Sequence, residues 1–423
     1  MGTPRFSLPR FHYLALLTAI LFASTAARAQ DGALARCQEV KGALLTGGGQ
    51  SWQAIKAGDN IPAGTTLVAL FEADLTSANK AVAVKLLGDI GMFGPLPVFD
   101  TAVRVLDAGS ADLTLGLDHG LIILTNAKES GAATVALKVR TQELTVKLKA
   151  PGARLGIELY GRHPGGAIHL LKDNPTTFFF ALAAQGDVAI STKEHTYALA
   201  APPGPAVLRW DSATNHADVV SLDKFPDALK RNDQEKQQFA KICAAAAGFA
   251  GKDVAAAAAQ LLKTDDPFNR RVAVTAFGAT DDLPNLLAAL GDAQHPDERD
   301  QAILVLRSWM GRAPGQLKSL RLAMLKQKYT PPQMKETMHL LIGFDETERE
   351  RPAVFEMLIN LLDSKHVAVR ELAHWHLVRL APAGRDIALD AGAAEADRQP
   401  GIERWRKLIP AGELPPRPKT DKK

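Results

Sequence analysis

The pattern of apolar residues changes once along this chain, and that change limits the fold more than any other feature. Before about residue 222 the apolar residues come in short runs, with period two or as continuous patches, separated by Gly, Pro, Asn and Asp. After about residue 223 they follow a helical period in Ala-rich segments such as 244–247 and 255–259. Period two is typical of strands, and a period of about 3.6 is typical of helices. The chain is therefore predicted to be multidomain, with an all-β part first and an α-helical part second.

Length and composition place the chain among globular proteins. The 423 residues are 46% apolar and 23% charged, which is enough for two or three domains of about 150 residues each. Fifty basic and 46 acidic residues leave a formal charge of +4. Because the two signs are nearly balanced, the chain does not have the large excess of positive charge that binding to a phosphate backbone requires. Nucleic acid is therefore not an expected partner. The two cysteines exclude a disulfide scaffold, and no four Cys or His residues have zinc-finger spacing.

The first 29 residues have the organisation of a secretory signal peptide. Arg5 and Arg10 precede an apolar run at 14–26, which is followed by Ala27-Arg28-Ala29, an A-x-A cleavage site. Spanning a bilayer takes about 20 residues, so this run is short for an anchor. The mature chain is expected to begin at Gln30, without a stable transmembrane helix after cleavage, and to be exported to the periplasm or cell envelope or secreted. An uncleaved amino-terminal anchor is the alternative.

Residues 30–222 are predicted to form the all-β domain, because strand-length runs recur about every 8–12 residues there. The runs lie at 81–87, 113–117, 121–125, 134–139, 144–148, 176–182, 186–190, 196–199 and 208–212. Turn-forming residues such as Gly64 and Pro151-Gly152 lie where the chain must reverse. This pattern favours a β-sandwich, a barrel or a stack of β-coils over a βαβ fold.

The opening of this region has a more specific order of motifs. A short strand that contains glycine is followed by a strand that contains an aromatic residue. A Gly-Asp pair comes next, then a segment with Ile and Gly, and then a strand that ends in a Gly-Asp turn. These motifs are Val40-Lys-Gly42, Trp52-Gln-Ala-Ile55, Gly58-Asp59, Ile61-Pro-Ala-Gly64 and 81–89, followed later by His119-Gly120 and the strands around Pro151. The order resembles the FecR-type exported β domain over about residues 42–162.

The FecR resemblance implies an exported, non-catalytic module. Some members of that family are transmembrane regulators that couple an outer signal to a cytoplasmic sigma factor. That role requires a spanning helix and a cytoplasmic arm. Because this chain begins with a predicted signal peptide, the sigma-factor role is not expected here.

A short motif occurs four times in the second half, at spacings of 29, 36 and 35 residues. Each copy has a basic residue, a small or apolar residue three positions later, and a large apolar residue four positions after that. The copies are Arg270-x-x-Ala273-x-x-x-Phe277, Arg299-x-x-Ala302-x-x-x-Leu306, Lys335-x-x-Met338-x-x-x-Ile342 and Arg370-x-x-Ala373-x-x-x-Leu377. The small residue allows a neighbouring helix to approach closely, and the arginine is expected to bond an acidic group of the adjacent repeat.

These copies resemble HEAT-type repeats, which implies an α-solenoid of stacked helix pairs over residues 223–400. Residues 401–423 are predicted to be a Pro/Lys-rich carboxyl-terminal tail, with Trp405 on a last short helix. Few sequence signals bridge residues 222–232, so the two parts are expected to fold as separate fragments.

Cys37 and Cys243 lie in different halves of the chain. In an oxidising compartment they could form a disulfide that joins the start of the β domain to the first helix. The alternative is that both are small buried apolar residues. The sequence leaves both open.

Three histidines are the densest group of possible ligands. His374 and His376 are two positions apart, so on a helix they point about 200° from each other and do not chelate one metal from the same face. His366 and Arg370 share a face, but no carboxylate stands at coordinating spacing. Packing or capping roles are predicted for these residues.

The remaining candidates also have structural interpretations. Asp211, Ser212 and His216 include the residue types of a triad, but no Gly-x-Ser-x-Gly elbow is present. The segment 46–49 lacks the Lys-Ser/Thr of a phosphate-binding loop and is predicted to be a hairpin tip. Asp281-Asp282 is predicted to begin a helix. No catalytic, cofactor-binding or metal-ligating residue and no cofactor is therefore predicted.

Two classes of function follow from these features. The leading hypothesis is an exported, non-catalytic envelope protein, in which a FecR-like domain and a helical-repeat scaffold serve binding or signalling. Its partner is expected to be an envelope protein or a polysaccharide. The alternative is a secreted hydrolase acting on envelope carbohydrate or peptide. A cleft with buried, convergent carboxylates would favour the enzyme.

Overall fold

The computed structural model describes residues 32–48, 51–91, 98–166, 174–226, 231–250 and 253–416. The predicted signal peptide and the start at Gln30 lie outside these ranges, as does the end of the predicted tail at 417–423. Among the described residues, no helix combines the length and apolar character needed to cross a bilayer.

Strands form the first part of the chain and helices the second, as predicted. The strands are β1 (Ala33–Val40), β2 (Ala43–Gly48), β3 (Ser51–Ile55), β4 (Asn60–Pro62), β5 (Thr66–Leu70), β6 (Ala73–Ser77), β7 (Val82–Leu87), β8 (Thr101–Leu106), β9 (Leu113–Asn126), β10 (Ala133–Val139), β11 (Gln142–Leu148), β12 (Arg154–Arg162), β13 (Thr176–Gln185), β14 (Asp187–Ser191), β15 (Thr196–Ala200), β16 (Gly204–Asp211) and β17 (Ala217–Leu222). The helices are α1 (Asp233–Ala247), α2 (Val254–Leu262), α3 (Pro267–Ala279), α4 (Leu283–Leu290), α5 (Pro296–Gly311), α6 (Gln316–Lys326), α7 (Pro331–Ile342), α8 (Glu346–Arg349), α9 (Pro352–Leu361), α10 (Val367–Leu380) and α11 (Glu395–Leu408).

Two open sheets share the long strand β9. The first sheet has the order β17-β16-β13-β12-β9-β7-β6-β1-β4. The second has the order β3-β2-β5-β8-β9-β10-β11-β14-β15. Only β9 and β10 run parallel among these pairs. Inward side chains of both sheets meet in one buried cluster, so the two sheets are the layers of a sandwich.

The strand β9 corrects the sequence-based division of this region. The runs 113–117 and 121–125 were expected as separate strands, but they lie in one strand that bends between them. Its first half pairs with β8 and β10, and its second half pairs with β7 and β12. Gly120 has a φ of 101°, a conformation that glycine adopts readily, so the strand changes sheets there without ending.

Part of each of the strands β2, β5 and β8 is buried on both faces. Leu44 and Leu67 point into the sandwich. Leu45 and Val68, one position further along, belong to the cluster that contains Phe277 of α3. Because successive side chains of a strand point to opposite faces, a strand covered on both sides is apolar at every position. This accounts for the continuous apolar patches in the sequence and shows that the helices cover part of the second sheet.

A buried charged group also joins the two parts. Arg312, directly after α5, donates to the carboxylate of Asp100 and, at 2.8 Å, to the carbonyl of Gly278. His119 Nε2 lies 2.8 Å from the same carboxylate. Burial raises the pKa of Asp100, but Arg312 and His119 outweigh it and the net shift is downward. Asp100 is therefore an ionised carboxylate held between strands and helices.

The helices pack as pairs, α2 with α3, α4 with α5, α6 with α7, and α9 with α10. Each copy of the sequence motif lies in the second helix of a pair. The third-position residues Ala273, Ala302, Met338 and Ala373 are all buried, whereas Lys335 is exposed. The second helices contact one another, α3 with α5 and α7 with α10. The motif therefore marks equivalent positions of the helix pairs.

The arginines of the motif fix the turns that precede these helices. Arg270 donates to Asp297 at 2.9 and 2.8 Å, and Arg299 donates to Glu371 at 2.5 Å. The predicted bond to an acidic group of the adjacent repeat is confirmed for Arg270, because Asp297 lies in the next helix pair. Glu371 lies two pairs further along the chain than Arg299, so that bond joins repeats that are not adjacent in sequence. Arg370 instead donates to carbonyl oxygens at 2.7 and 2.6 Å.

The last helix extends past the predicted boundary at residue 400. Helix α11 ends at Leu408, and Ile402 and Trp405 within it are fully buried. Residues 401–408 therefore belong to the helical part.

Candidate functional site

A cavity of about 960 Å³ opens at one end of the space between the two sheets. Its floor is apolar and buried, with Phe179 and Leu208 from the first sheet and Val139 and Ile190 from the second. Its rim consists of the ends of β10 and β11, the turn between β14 and β15, and the turn between β16 and β17. The cavity therefore exposes the end of the sandwich core to solvent.

Two half-buried aromatic rings stand between the floor and the rim. Trp210 on β16 lies opposite Phe179 in register, and its Nε1 donates to Asn215 Oδ1 at 3.2 Å. Tyr197 on β15 lies opposite Ile190. Both rings pack against the sandwich core with one side and line the cavity with another. The site therefore presents two aromatic surfaces fixed on strands of facing sheets.

The last residue of β16 and the turn that follows it contain the Asp, Ser and His candidates. The Asp211 carboxylate accepts from the Ala213 and Thr214 backbone N–H groups at 2.9 and 2.8 Å, and from Thr214 Oγ1 at 3.0 Å. Its pKa is lowered, chiefly by the hydrogen bond from the Thr214 backbone. Ser212 Oγ accepts from Thr177 N at 2.8 Å. These residues shape the turn beside the cavity, and His216 lies exposed on its rim.

The carboxylates that line the cavity, Glu143 and Glu194, are both exposed. Glu143 Oε1 lies 3.4 Å from Lys138 Nζ, which is also exposed. Lys193 stands beside Glu194 on the same rim. A carboxyl group that acts as a general acid near pH 7 is usually buried in apolar surroundings, which raises its pKa. The surroundings of Glu143 and Glu194 differ from that arrangement.

The histidines of α10 have the packing roles predicted for them. His376 Nε2 donates to the Leu340 carbonyl at 2.7 Å, and burial lowers the pKa of His376 to about 3. His374 packs edge-on against Trp405 with ring centroids 6.3 Å apart, and burial lowers its pKa to about 4. His366 precedes α10 as its N-cap residue, without a side-chain cap hydrogen bond.

The other candidates also have structural roles. Residues 46–48 lie at the end of β2, which pairs with β3, and residues 49–50, where the hairpin tip was predicted, lie outside the described residues. Asp282 caps α4 by accepting from Asn285 N at 3.2 Å, so the predicted helix start is confirmed. Cys37 and Cys243 are both buried and unbridged, and burial raises their pKa values to about 11 and 12.

One cluster of possible metal ligands was missed at the sequence level. Asp292, His295 and Glu298 have side-chain ligand atoms within 4.8 Å of one another. Their D-x-x-H-x-x-E spacing at the start of α5 was the available signal. His295 Nδ1 lies 3.1 Å from Asp292 Oδ1 and 3.4 Å from Glu298 Oε1, and Arg270 lies 3.7 Å from the same Glu298 oxygen. Arg270 thus places a positive charge beside the cluster, and the contacts of His295 with Asp292 and Glu298 stabilise the turn before α5.

Comparison with known proteins assigns neither a family nor a function to this chain. No protein-family model and no curated protein matches the chain. The chain is similar to a crystal structure from Parabacteroides distasonis described as that of an anti-sigma factor, with 12% sequence identity and a TM-score of 0.22. This match covers 38% of the present chain and 57% of that chain. A match at this TM-score carries no argument about fold or function.

Proposed function

We propose that this protein is an exported, non-catalytic binding protein of the cell envelope, and that the cavity at the end of its sandwich binds a polysaccharide chain. The supporting observation is the pair of half-buried aromatic rings, Trp210 and Tyr197, in an open cavity with a polar rim. Export itself rests on the predicted signal peptide.

The chemistry of the cavity suits a sugar better than a polyanion or a purely apolar ligand. A sugar ring has an apolar C–H face, which packs against aromatic rings, and hydroxyl groups at its edges. The exposed amides of Gln142 and Asn215 can each donate and accept hydrogen bonds at such edges. One lysine and two glutamates on the rim provide no positive field for a polyanion.

The exposure of the rim carboxylates favours binding over hydrolysis. Most glycosidases use two carboxyl groups, and the general acid among them has a raised pKa. Glu143 and Glu194 are exposed, at a strand end and on a turn, and neither is enclosed in apolar surroundings. In this proposal the helical part serves as the scaffold that covers the second sheet and leaves the cavity open.

The proposal is tested by isothermal titration calorimetry of the chain beginning at Gln30. The probes are β-1,4-linked tetrasaccharides of glucose and of N-acetylglucosamine, with tetra-alanine as a peptide probe. At least one saccharide is expected to bind, and Trp210→Ala is expected to weaken it about tenfold, because an aromatic contact of this kind contributes about 1 kcal/mol or more. The matched control is Trp52→Ala on β3, at the opposite edge of the second sheet from β15.

Three results would contradict the proposal. Binding of the peptide alone would indicate a protein partner. Cleavage of a saccharide that is lost in Glu143→Gln or Glu194→Gln would indicate the hydrolase. Equal affinities of the Trp210 and Trp52 variants would place the saccharide elsewhere.

A further inference from the structure

A second cavity, of about 340 Å³, lies where β12 meets helices α5, α7 and α10. Arg162 from the end of β12, Arg307 from α5 and Arg379 from α10 line it, together with Trp375 of α10. The backbones of Gly161 and Gly311 touch beside it, since a Cβ on either glycine would overlap the carbonyl of the other. This contact holds the end of β12, and therefore Arg162, against the helices.

Two of the guanidinium groups are held in place by the ring and by carbonyl oxygens. Arg379 lies 3.6 Å and Arg307 lies 4.9 Å from the centre of the Trp375 ring. Arg307 Nη1 donates to the Leu341 carbonyl at 2.5 Å, and Arg379 Nη1 donates to the Trp375 carbonyl at 3.2 Å. A guanidinium group has five N–H donors, so each arginine retains donors for a ligand.

The positive charge of this cluster is only partly compensated. Asp300 raises the pKa of Arg379, but burial outweighs this effect and the net shift is downward. The pKa of Arg307 is lowered to about 10, chiefly by burial and then by the guanidinium groups of Arg162, Arg379 and Arg349. Within the described ranges, no carboxylate lies within 4.0 Å of the charged nitrogens of Arg162, Arg307 or Arg379.

Glu158 also lines the cavity, but burial raises its pKa to about 7, so it is partly protonated near neutral pH. Arg307 is half-buried, whereas Arg162 and Arg379 are exposed. Three like charges that converge on one cavity repel one another, and a bound anion would relieve this repulsion.

We propose that this cavity binds a small anion carrying a phosphate or a carboxylate group, which Arg162, Arg307 and Arg379 contact together. Planar guanidinium groups match the oxygens of both groups, and hydrogen bonds between charged partners are the strong ones. Because Arg162 belongs to the strands and the other two belong to the helices, the anion joins the two parts of the molecule. This site is separate from the saccharide cavity and does not depend on it.

The test is calorimetric titration and thermal unfolding of the chain beginning at Gln30. The probes are inorganic phosphate, pyrophosphate and citrate, with sodium chloride at the same ionic strength as the reference. Phosphate and pyrophosphate test whether the site binds a phosphate group, and citrate tests whether it binds a carboxylate group. At least one of them is expected to raise the midpoint of unfolding above that in chloride, because a ligand that binds only the folded state stabilises it. No rise and no heat of binding with any of the three would overturn the proposal.

Variants distinguish binding of the anion at this site from general electrostatic attraction of anions to the protein. Arg162→Gln is expected to weaken the bound anion at least about tenfold, and Arg162→Lys is expected to retain part of the affinity because it keeps the charge. The matched control is Arg154→Gln, an exposed arginine at the other end of β12. It makes the same change in net charge, and its affinity is expected to stay within about twofold of wild type. Equal losses in Arg162→Gln and Arg154→Gln would overturn the proposal. Arg379→Gln provides a second test of the same site.

Discussion

Single residues hold the strands and helices of this protein together. Gly161 and Gly311 permit contact between the backbones of β12 and α5, and neither position has room for a side chain. Asp100, His119 and Arg312 form a buried charged group at the same junction. Apart from His119, which is part of the His119-Gly120 motif, these residues belong to no recognisable motif, and each gains its role only from the packing of distant segments. The sequence therefore offered no signal for them.

Gly161→Ala is predicted to lower the free energy of unfolding by about 1–3 kcal/mol, because the added methyl group overpacks a backbone contact. The control is Gly48→Ala, where a Cβ meets nothing within 4 Å. It is expected to stay within about 0.5 kcal/mol of wild type. Urea titrations of the two variants make the comparison, and equal stabilities would show that the contact with Gly311 is not tight.

His374 is predicted to make stability depend on pH. Its folded pKa of about 4 lies below the ordinary histidine value of about 6.5, so the unfolded state binds the proton more readily. Its contribution is fully present above about pH 6.5 and is lost as pH falls towards 4. His374→Phe is expected to gain about 1–2 kcal/mol relative to wild type between pH 7 and pH 4.5. The check is urea unfolding at several pH values, and a constant difference between the proteins would contradict it.

Strands and helices whose apolar residues recur with a regular period were predictable from the sequence. The way in which the strands pair into sheets was not. Strands such as β10 and β11 follow the predicted runs because alternation and flanking turns specify them locally. The bend in β9 was missed because a glycine inside a run indicates a break as readily as a change of sheet. The cavity was also missed, since Trp210 and Tyr197 come together only through the pairing of sheets. The paired helices were predictable because their motif repeats.

Ala302→Leu is predicted to cost about 1–3 kcal/mol, because Ala302 is fully buried in the second helix of a pair and a larger side chain overpacks its surroundings. The exposed Lys326 on α6 provides the control, and Lys326→Ala is expected to change stability by no more than about 0.5 kcal/mol. Unfolding in urea measures both. A stable Ala302→Leu variant would contradict the position of this motif in the helix packing.

At the scale of the whole molecule, the strands and the helices bury surface against each other. The second sheet contributes Leu45 and Val68 to the same cluster as the helices, and Arg312 bonds Asp100 across the junction. Separate fragments would expose these groups to water. The sequence-based expectation that each part folds by itself does not account for this interface.

A fragment beginning at Lys224 is accordingly predicted to be less stable than the helical part of the full chain. The measurement is urea unfolding followed by circular dichroism at 222 nm, a wavelength that reports helix. The full chain is expected to lose its helical signal at a higher urea concentration than the fragment. Coincident transitions would show that the interface contributes nothing to stability and that the parts are independent.

The central claim is that the cavity at the end of the sandwich holds a saccharide without cleaving it. The most direct measurement is a crystal structure of the chain beginning at Gln30 with the tetrasaccharide that binds most tightly. We expect an intact saccharide with a ring against Trp210 or Tyr197 and hydroxyl groups at Gln142 or Asn215. A saccharide bound to the helical part, or a cleaved product in the cavity, would contradict it.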